Sequence, residues 1–165
     1  EHREWLEMLN DSKQLTDKQR LFLRPKIEQF ATAWAVVEVT AEEIDQINIL
    51  NASILGMHRA LDQLSVVPAH ILVDGNKWKP YVPQNDCLEI PAQTIVKGDG
   101  KYLSIAAASI LAKTYRDDYM MHLHDMYPNY HWNKNMGYPT KEHYHAILQF
   151  GITPYHRKTF KLIKE

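Results

Sequence analysis

Two aspartates stand at the ends of short apolar runs, Ile71-Leu-Val-Asp74 and Thr94-Ile-Val-Lys-Gly-Asp99, the first stopped by Gly75-Asn76 and the second by Gly100. Runs of this kind, bounded by Asp-Gly-Asn and Gly-Asp-Gly, read as buried strands that finish in a functional loop. If the strands pair in parallel, two carboxylates come to the same end of a sheet. Oxygen donors there suit a hard cation such as Mg²⁺, which takes one or two protein carboxylates and keeps several waters. The alternative is plain turn chemistry, for which aspartate is equally suited.

The other residues able to bind metal are read as structural. Asp117 and Asp118 fall within a helical stretch, where carboxylates are solvated or paired one turn away. Nine histidines include the pairs His122/His124 and His143/His145. At i, i+2 on a helix such pairs point to different sides, unlike an i, i+4 zinc pair, so surface positions and no zinc are expected. Cys87 is the single cysteine, has no zinc-like neighbours and cannot form an internal disulfide, which fits a reducing compartment.

The elements that must position these groups can be read in order. Thr16-Asp-Lys-Gln19 has the form of a capping box opening a first helix, with Leu21, Phe22, Ile27 and Phe30 at mostly helical spacing and Pro25 as a possible kink or stop. Ala33 to Thr40, rich in β-branched and aromatic residues, predicts a strand. Thr40-Ala-Glu-Glu43 is a second capping box, opening a short helix through Ile44 and Ile47. A longer helix follows from Ile49 to Leu64, with Ile54, Leu55, Met57, Leu61 and Leu64 inward. Between the two aspartate-bearing runs lies a proline-containing loop of about twenty residues. Ser104 to His124 is helical, its small early residues allowing close approach to a sheet before Leu111, Tyr115, Met120 and Leu123 carry the apolar stripe. Gly137-Tyr-Pro-Thr140 opens a last helix through Tyr144, Ile147 and Leu148, closed by Gly151.

This alternation predicts an α/β fold with a largely parallel sheet, since parallel neighbours need crossovers. Three strands are few beside so many helices, when about five per sheet is usual. The 165 residues and formal charge of −1 describe a single domain, 1–165, and argue against a general polyanion binder. Lys97, Lys101, Lys113 and Arg116 would neutralise phosphates if the fold gathers them on one face. There is no apolar run of about 18 residues and no secretory pattern in Glu1 to Glu7, so a cytoplasmic location is expected.

Taken in order, Asn10-Asp-Ser-Lys13, Glu43-Ile-Asp-Gln-Ile-Asn-Ile-Leu-Asn-Ala52, Val73-Asp-Gly-Asn76, Val96-Lys-Gly-Asp99, Ala106-Ala-Ala-Ser-Ile-Leu-Ala-Lys113 with Arg116-Asp117, Gly137-Tyr-Pro-Thr140, and His156-Arg157 with Phe160 resemble ribonuclease HII over residues 9–160. Each motif alone is weak, but the ordered set is specific. The resemblance implies a ribonuclease H-like α/β fold, a mixed or parallel sheet flanked by helices. It also implies two-metal hydrolysis, with Mg²⁺ or Mn²⁺, of the phosphodiester 5′ of ribonucleotides in RNA–DNA hybrids or DNA duplexes with embedded ribonucleotides.

Of the four carboxylates that this chemistry uses in the family, Asp74 and Asp99 stand at matching positions, as catalytic and metal-binding residues. The other two belong to an Asp-Glu-x-Gly-Arg-Gly motif on the family's first strand, and the sequence holds neither an Asp-Glu nor a Gly-Arg dipeptide. The family's first strands are therefore expected to be missing from this sequence, leaving the domain incomplete at its N-terminal side and both sheet and carboxylate set deficient. By itself the 165-residue chain is expected to lack appreciable nuclease activity. The alternative function is a catalytically inactive duplex-binding fragment. Tyr138 matches the tyrosine that packs on the sugar and helps sense the 2′-hydroxyl, the group that distinguishes RNA from DNA. Asn10, Ser12, Lys13 and Asn48 resemble positions lining the duplex groove, with loop and cap chemistry as the alternative. Met136 stands where the family usually has a lysine, removing a possible phosphate contact.

Overall fold

The computed structural model describes residues 4–9, 14–84 and 87–160. Five α-helices are defined among them: α1 (Asp17–Phe30), α2 (Ala41–Asp62), α3 (Leu103–Met126), α4 (Trp132–Asn135) and α5 (Lys141–Phe150). Two strands, β1 (Ile71–Asp74) and β2 (Ala92–Ile95), pair in parallel with Ile71 opposite Ala92 and Asp74 opposite Ile95. The chain divides into two compact units, Glu1–Val37 with Gly56–Thr114, and Glu38–Leu55 with Tyr115–Glu165.

Both capping boxes form. The Thr16 hydroxyl accepts from Gln19 N at 3.3 Å while the Gln19 side chain accepts from Thr16 N at 2.8 Å. At Thr40 and Glu43 the same reciprocal pair measures 3.2 and 2.9 Å. Reciprocal capping satisfies two backbone donors that a helix start would otherwise leave open. Pro25 does not end α1; it lies inside the helix. The carbonyl of Leu21, which loses its i+4 donor, belongs to an exposed residue, so water can satisfy it.

Of the apolar residues read at mostly helical spacing on α1, Ile27 lies on its buried face and the other three do not. Arg20, Leu23 and Ile27 are buried, whereas Leu21, Phe22 and Phe30 are exposed. Positions 20, 23 and 27 form one stripe at i, i+3, i+7, and the expected set took residues from both of its flanks. The outer rings find local partners: Phe30 lies 5.8 Å from the Trp5 ring, and the Lys26 ammonium sits 4.7 Å over Phe22.

Residues 33–40 form no strand. A strand is defined by its ladder, and this segment makes none with any described neighbour, whatever its propensity. The second expected helix pair appears as α2 with an internal break at Asn48, at φ 66° and ψ 164°. The second aspartate-bearing run also differs: β2 ends at Ile95, and Lys97 turns left-handed at φ 55°. Asp99 consequently lies in the 3₁₀ turn Gly98–Gly100 rather than on the strand.

The first unit packs Ile71, Val73, Tyr81 and Ile90 into a buried cluster joined by Met57, Leu61 and Trp78. The proline-containing loop thus contributes core, its Tyr81 hydroxyl donating to Asp62 at 2.8 Å. In the second unit Met120, Leu123, Tyr130, Trp132, Ala146 and Ile147 form the core, with Met136 packed against it. Leu148, one of the apolar residues through which the last helix was expected to run, is exposed, because the buried stripe of that helix runs through His143, Ala146 and Ile147.

Candidate functional site

In the first unit the parallel register carries β1 one residue beyond the sheet: Gly75 N donates to Ile95 O at 3.0 Å. Asp74 is thereby fixed at the end of the ladder, beside the turn that holds Asp99. Its Oδ1 accepts from Gly98 N at 2.9 Å, which places the two aspartates in one corner. Asp99 is 5% exposed, and its Oδ1 accepts from Gly100 N at 3.1 Å.

Gly98 stands close against the Ile105 side chain. A Cβ there would lie 2.5 Å from Ile105 Cδ1 and 3.5 Å from Asp74 Oδ1. The first turn of α3 therefore closes over the back of the 3₁₀ turn, and the absence of a side chain keeps the Asp74 carboxylate against the backbone. Strand end, turn and helix start position the pair jointly.

The donors in this corner are hard oxygens, which fits Mg²⁺ or Mn²⁺ rather than a soft metal. Among the described residues no group of three or more His, Cys, Asp or Glu gathers in a metal-holding arrangement. Two carboxylates suffice to start a Mg²⁺ site whose remaining positions are water, but they leave two close divalent ions underneutralised. Of the expected basic cluster, Lys101 Nζ donates to Val96 O at 3.0 Å, and Lys97 occupies the left-handed position before the turn. Both therefore serve the same turn as the aspartates.

In the second unit Tyr138 is 59% exposed on a turn whose backbone is held at every step. Met136 and Gly137 take positive φ, 47° and 75°. Buried Asn135 accepts from Gly137 N at 2.9 Å through Oδ1 and donates through Nδ2 to Tyr130 O at 2.8 Å. Arg116 donates from Nη2 to Met136 O at 2.8 Å, and its guanidinium carbon lies 5.8 Å from the Tyr138 ring centroid. That distance is within cation–π range. The result is an exposed aromatic ring on an immobilised turn with a cation beside it, a surface suited to a sugar and its phosphate.

Sequence reasoning missed what lies beneath. His143 is buried, not at the surface as expected, and so is His156. Burial follows from the α5 stripe, which turns position 143 towards Trp132 of α4. Trp132 Nε1 donates to His143 Nε2 at 3.2 Å, His143 Nδ1 is 3.1 Å from Tyr138 O, and the Nε2 atoms of His143 and His156 are 3.2 Å apart. Burial lowers the pKa of His143, and burial together with the neighbouring His143 lowers that of His156 to about 4. His124 is half-buried, while His122 and His145 are exposed as expected. The His156-Arg157 motif was visible in the sequence, but its contact with position 143 has no local signal.

Asn48 uses its side-chain oxygen on α2, accepting from Leu50 N at 3.1 Å and Asn51 N at 3.2 Å. It caps the second half of the helix while remaining exposed. Asp45, one turn earlier, accepts from Lys158 N at 2.7 Å and from Thr159 N at 3.0 Å. Its pKa is lowered, first by the Thr159 hydroxyl and then by the backbone. Asn10, Ser12 and Lys13 lie outside the described residues.

Comparisons with known proteins bear on both units together. A family model described as Ribonuclease HII matches residues 5–163. A ribonuclease HII of Bacteroides thetaiotaomicron is 65% identical over 157 residues, covering 95% of this chain and 76% of that relative. The ribonuclease HII of Parabacteroides distasonis is 64% identical over 159 residues, 96% of this chain and 77% of its own length. Among solved structures, the ribonuclease H2 of Pyrococcus horikoshii superposes with a TM-score of 0.75 at 28% identity, covering 96% of this chain and 81% of that one. The chain spans about three quarters of the length of these curated relatives.

Proposed function

From the fact that this chain belongs to the ribonuclease HII family and is a ribonuclease H-type hydrolase, we propose that it takes part in hydrolysis of the phosphodiester 5′ of ribonucleotides in RNA–DNA hybrids or DNA duplexes with embedded ribonucleotides. The observation that carries this reading is the hydrogen bond from Gly98 N to Asp74 Oδ1, which joins the end of β1 to the turn bearing Asp99.

Asp74 and Asp99 would hold the divalent ion, Mg²⁺ or Mn²⁺. Such ions supply charge neutralisation to the attacking and leaving oxygens of an in-line displacement. The residues' own contribution is pre-orientation. With Oδ1 of Asp74 engaged by the backbone, the carboxylate has a fixed plane, and its Oδ2 has no protein partner among the described residues. Buried Asp99 is held through Gly100 N. A carboxylate already fixed by backbone donors loses less freedom when it takes up a cation.

Tyr138 supports the substrate side of the reading. An exposed ring on a rigid turn can pack on a ribose, and Arg116 beside it brings a charge suited to the adjoining phosphate. Asn48 retains only its Nδ2 donor for a groove oxygen. Asn10, Ser12 and Lys13 remain assigned to the duplex groove on the motif alone.

The test is cleavage of matched duplexes, one with a single ribonucleotide and one all-DNA, across a Mg²⁺ and a Mn²⁺ titration in an active preparation of the enzyme. Asp74→Asn and Asp99→Asn should each lower turnover by about 10²-fold or more while duplex affinity at fixed salt is largely retained. Wild-type turnover by Asp99→Asn at low Mg²⁺ would remove that residue from the site.

A further inference from the structure

The buried pair His143 and His156 has a determined hydrogen-bond direction, and that direction ends on Tyr138. Thr153 N donates to His156 Nδ1 at 3.0 Å, so Nδ1 of His156 is an acceptor. A neutral imidazole with an accepting Nδ1 carries its proton on Nε2. That proton points to His143 Nε2, 3.2 Å away, whose single lone pair it shares with the Trp132 indole proton in a three-centre bond. Because His143 Nε2 accepts, its own proton resides on Nδ1, 3.1 Å from Tyr138 O. Each step fixes the next, and each uses neutral rings.

Among the described residues, the groups facing this pair add no competing charge. Trp132 approaches from α4 with an indole; Tyr130, from the 3₁₀ turn before it, has its hydroxyl donating to Gly151 O at 3.0 Å and its pKa raised by burial. Tyr155 adds a ring 6.5 Å from Trp132. Protonating His143 would put a second proton on Nε2, opposite two donors that already point at it.

We propose that His143 is a positioning residue for Tyr138: it holds the tyrosine's carbonyl through Nδ1–H, and His156 and Trp132 enforce the tautomer that makes this bond possible. The proposal deepens the reading of Tyr138 as the sugar-packing residue and rests on it for its catalytic consequence. Without the His143 bond the turn keeps the Asn135 and Arg116 contacts at residues 136 and 137, the bonds from Met136 N to Trp132 O at 2.9 Å and from Tyr138 N to Asn135 O at 2.7 Å, and Thr140 N, at 2.8 Å, on the Tyr138 carbonyl. With His143 in place the ring is anchored on the side of the helix as well.

The wild-type enzyme gives the first test. Nitrogen-15 spectra of the imidazoles at neutral pH should show the proton on Nδ1 of His143 and on Nε2 of His156; the opposite tautomer at His143 overturns the proposal without any variant. The second test compares His143→Gln with His143→Asn. Glutamine sets its amide near the Nε2 position and leaves the Tyr138 carbonyl without its donor, whereas asparagine sets an amide nitrogen near the Nδ1 position. With folding verified by near-UV dichroism, His143→Gln should speed amide exchange in the Gly137–Thr140 turn and lower kcat/KM on a single embedded ribonucleotide roughly tenfold, the size of one lost hydrogen bond. His143→Asn should restore both in part. Unchanged exchange in folded His143→Gln refutes the link to the turn. Faster exchange with unchanged kcat/KM, together with wild-type activity of Tyr138→Ala, would instead refute the sugar-packing role on which the consequence rests.

Discussion

Gly98→Ala tests the account of the acidic corner with a single methyl group. The added carbon would sit 2.5 Å from Ile105 Cδ1, and ordinary contact begins near 3.4 Å, so the two must part by about 0.5 to 0.9 Å. Ile105 is 5% exposed on the first turn of α3 and has little room to yield. Forcing a methyl into such a place costs about 1–3 kcal/mol, while the stiffer unfolded chain returns about 0.4–1 kcal/mol. The net loss of roughly 1–2 kcal/mol corresponds, for a chain of 165 residues, to a fall of about 2–8 °C in Tm.

The displacement reaches function because Asp74 Oδ1 lies 3.5 Å from the same added carbon and is bonded to the same residue's N–H. Misplacing a reacting group by about 1 Å can cost on the order of 10²-fold, so Mg²⁺-dependent cleavage by an active preparation of the enzyme should drop about ten- to a hundredfold. Ile105→Val removes the clashing Cδ1 and alone costs about 0.5–1.5 kcal/mol. If the clash is the cause, the double variant is more stable than the sum of the singles by about 1 kcal/mol and regains part of the cleavage. Thermal unfolding and cleavage of the four proteins decide the matter. A Gly98→Ala protein with wild-type Tm, or strict additivity in the cycle, refutes the packing argument.

Tyr138→Phe should leave cleavage at a single ribonucleotide within about threefold if ring packing dominates, whereas Tyr138→Ala should lose roughly tenfold or more; equal losses would assign the effect to the hydroxyl. Stability should also depend on pH through the buried imidazoles. With a folded pKa near 4 against about 6.5 unfolded, His156 binds fewer protons folded than unfolded across that window. Its contribution is present above about pH 6.5 and is lost as pH falls towards 4, at up to about 1.4 kcal/mol per pH unit. Denaturant unfolding between pH 7 and 4 should show this slope, and His156→Gln should flatten it; a wild-type stability that rises on acidification contradicts the neutral pair.

What the sequence made legible follows from the range of the forces involved. Capping boxes close within four residues, so Thr16–Gln19 and Thr40–Glu43 could be read directly, as could the Thr140 cap and the Gly151 stop of α5. Asp74 at the end of β1 was equally legible, because a short apolar run stopped by Asp-Gly-Asn carries its own boundary. Residues 33–40 have the composition of a strand and form none, since propensity describes how a side chain fits a sheet and not whether a partner lies alongside. Asp99 moved from strand end to turn because Lys97 adopts a left-handed conformation that nothing in a lysine announces.

The parts of the site that were not legible are those whose partners are remote in sequence. His143 meets Trp132 across 11 positions and His156 across 13, and Arg116 meets Met136 across 20. A histidine pattern at i, i+2 correctly says that His143 and His145 face apart, but it cannot say which of them faces the core. That choice is made by the stripe of Ala146 and Ile147, which draws position 143 inward and leaves 145 in water. Once the imidazole is buried, an unpaired ring nitrogen costs about 1–3 kcal/mol, and the arrangement that satisfies all the nitrogens of both rings is the directed chain ending on the Tyr138 carbonyl. The buried histidine pair is thus a consequence of one helix face: the stripe that fills the core also brings His143 Nδ1 to within 3.1 Å of the Tyr138 carbonyl.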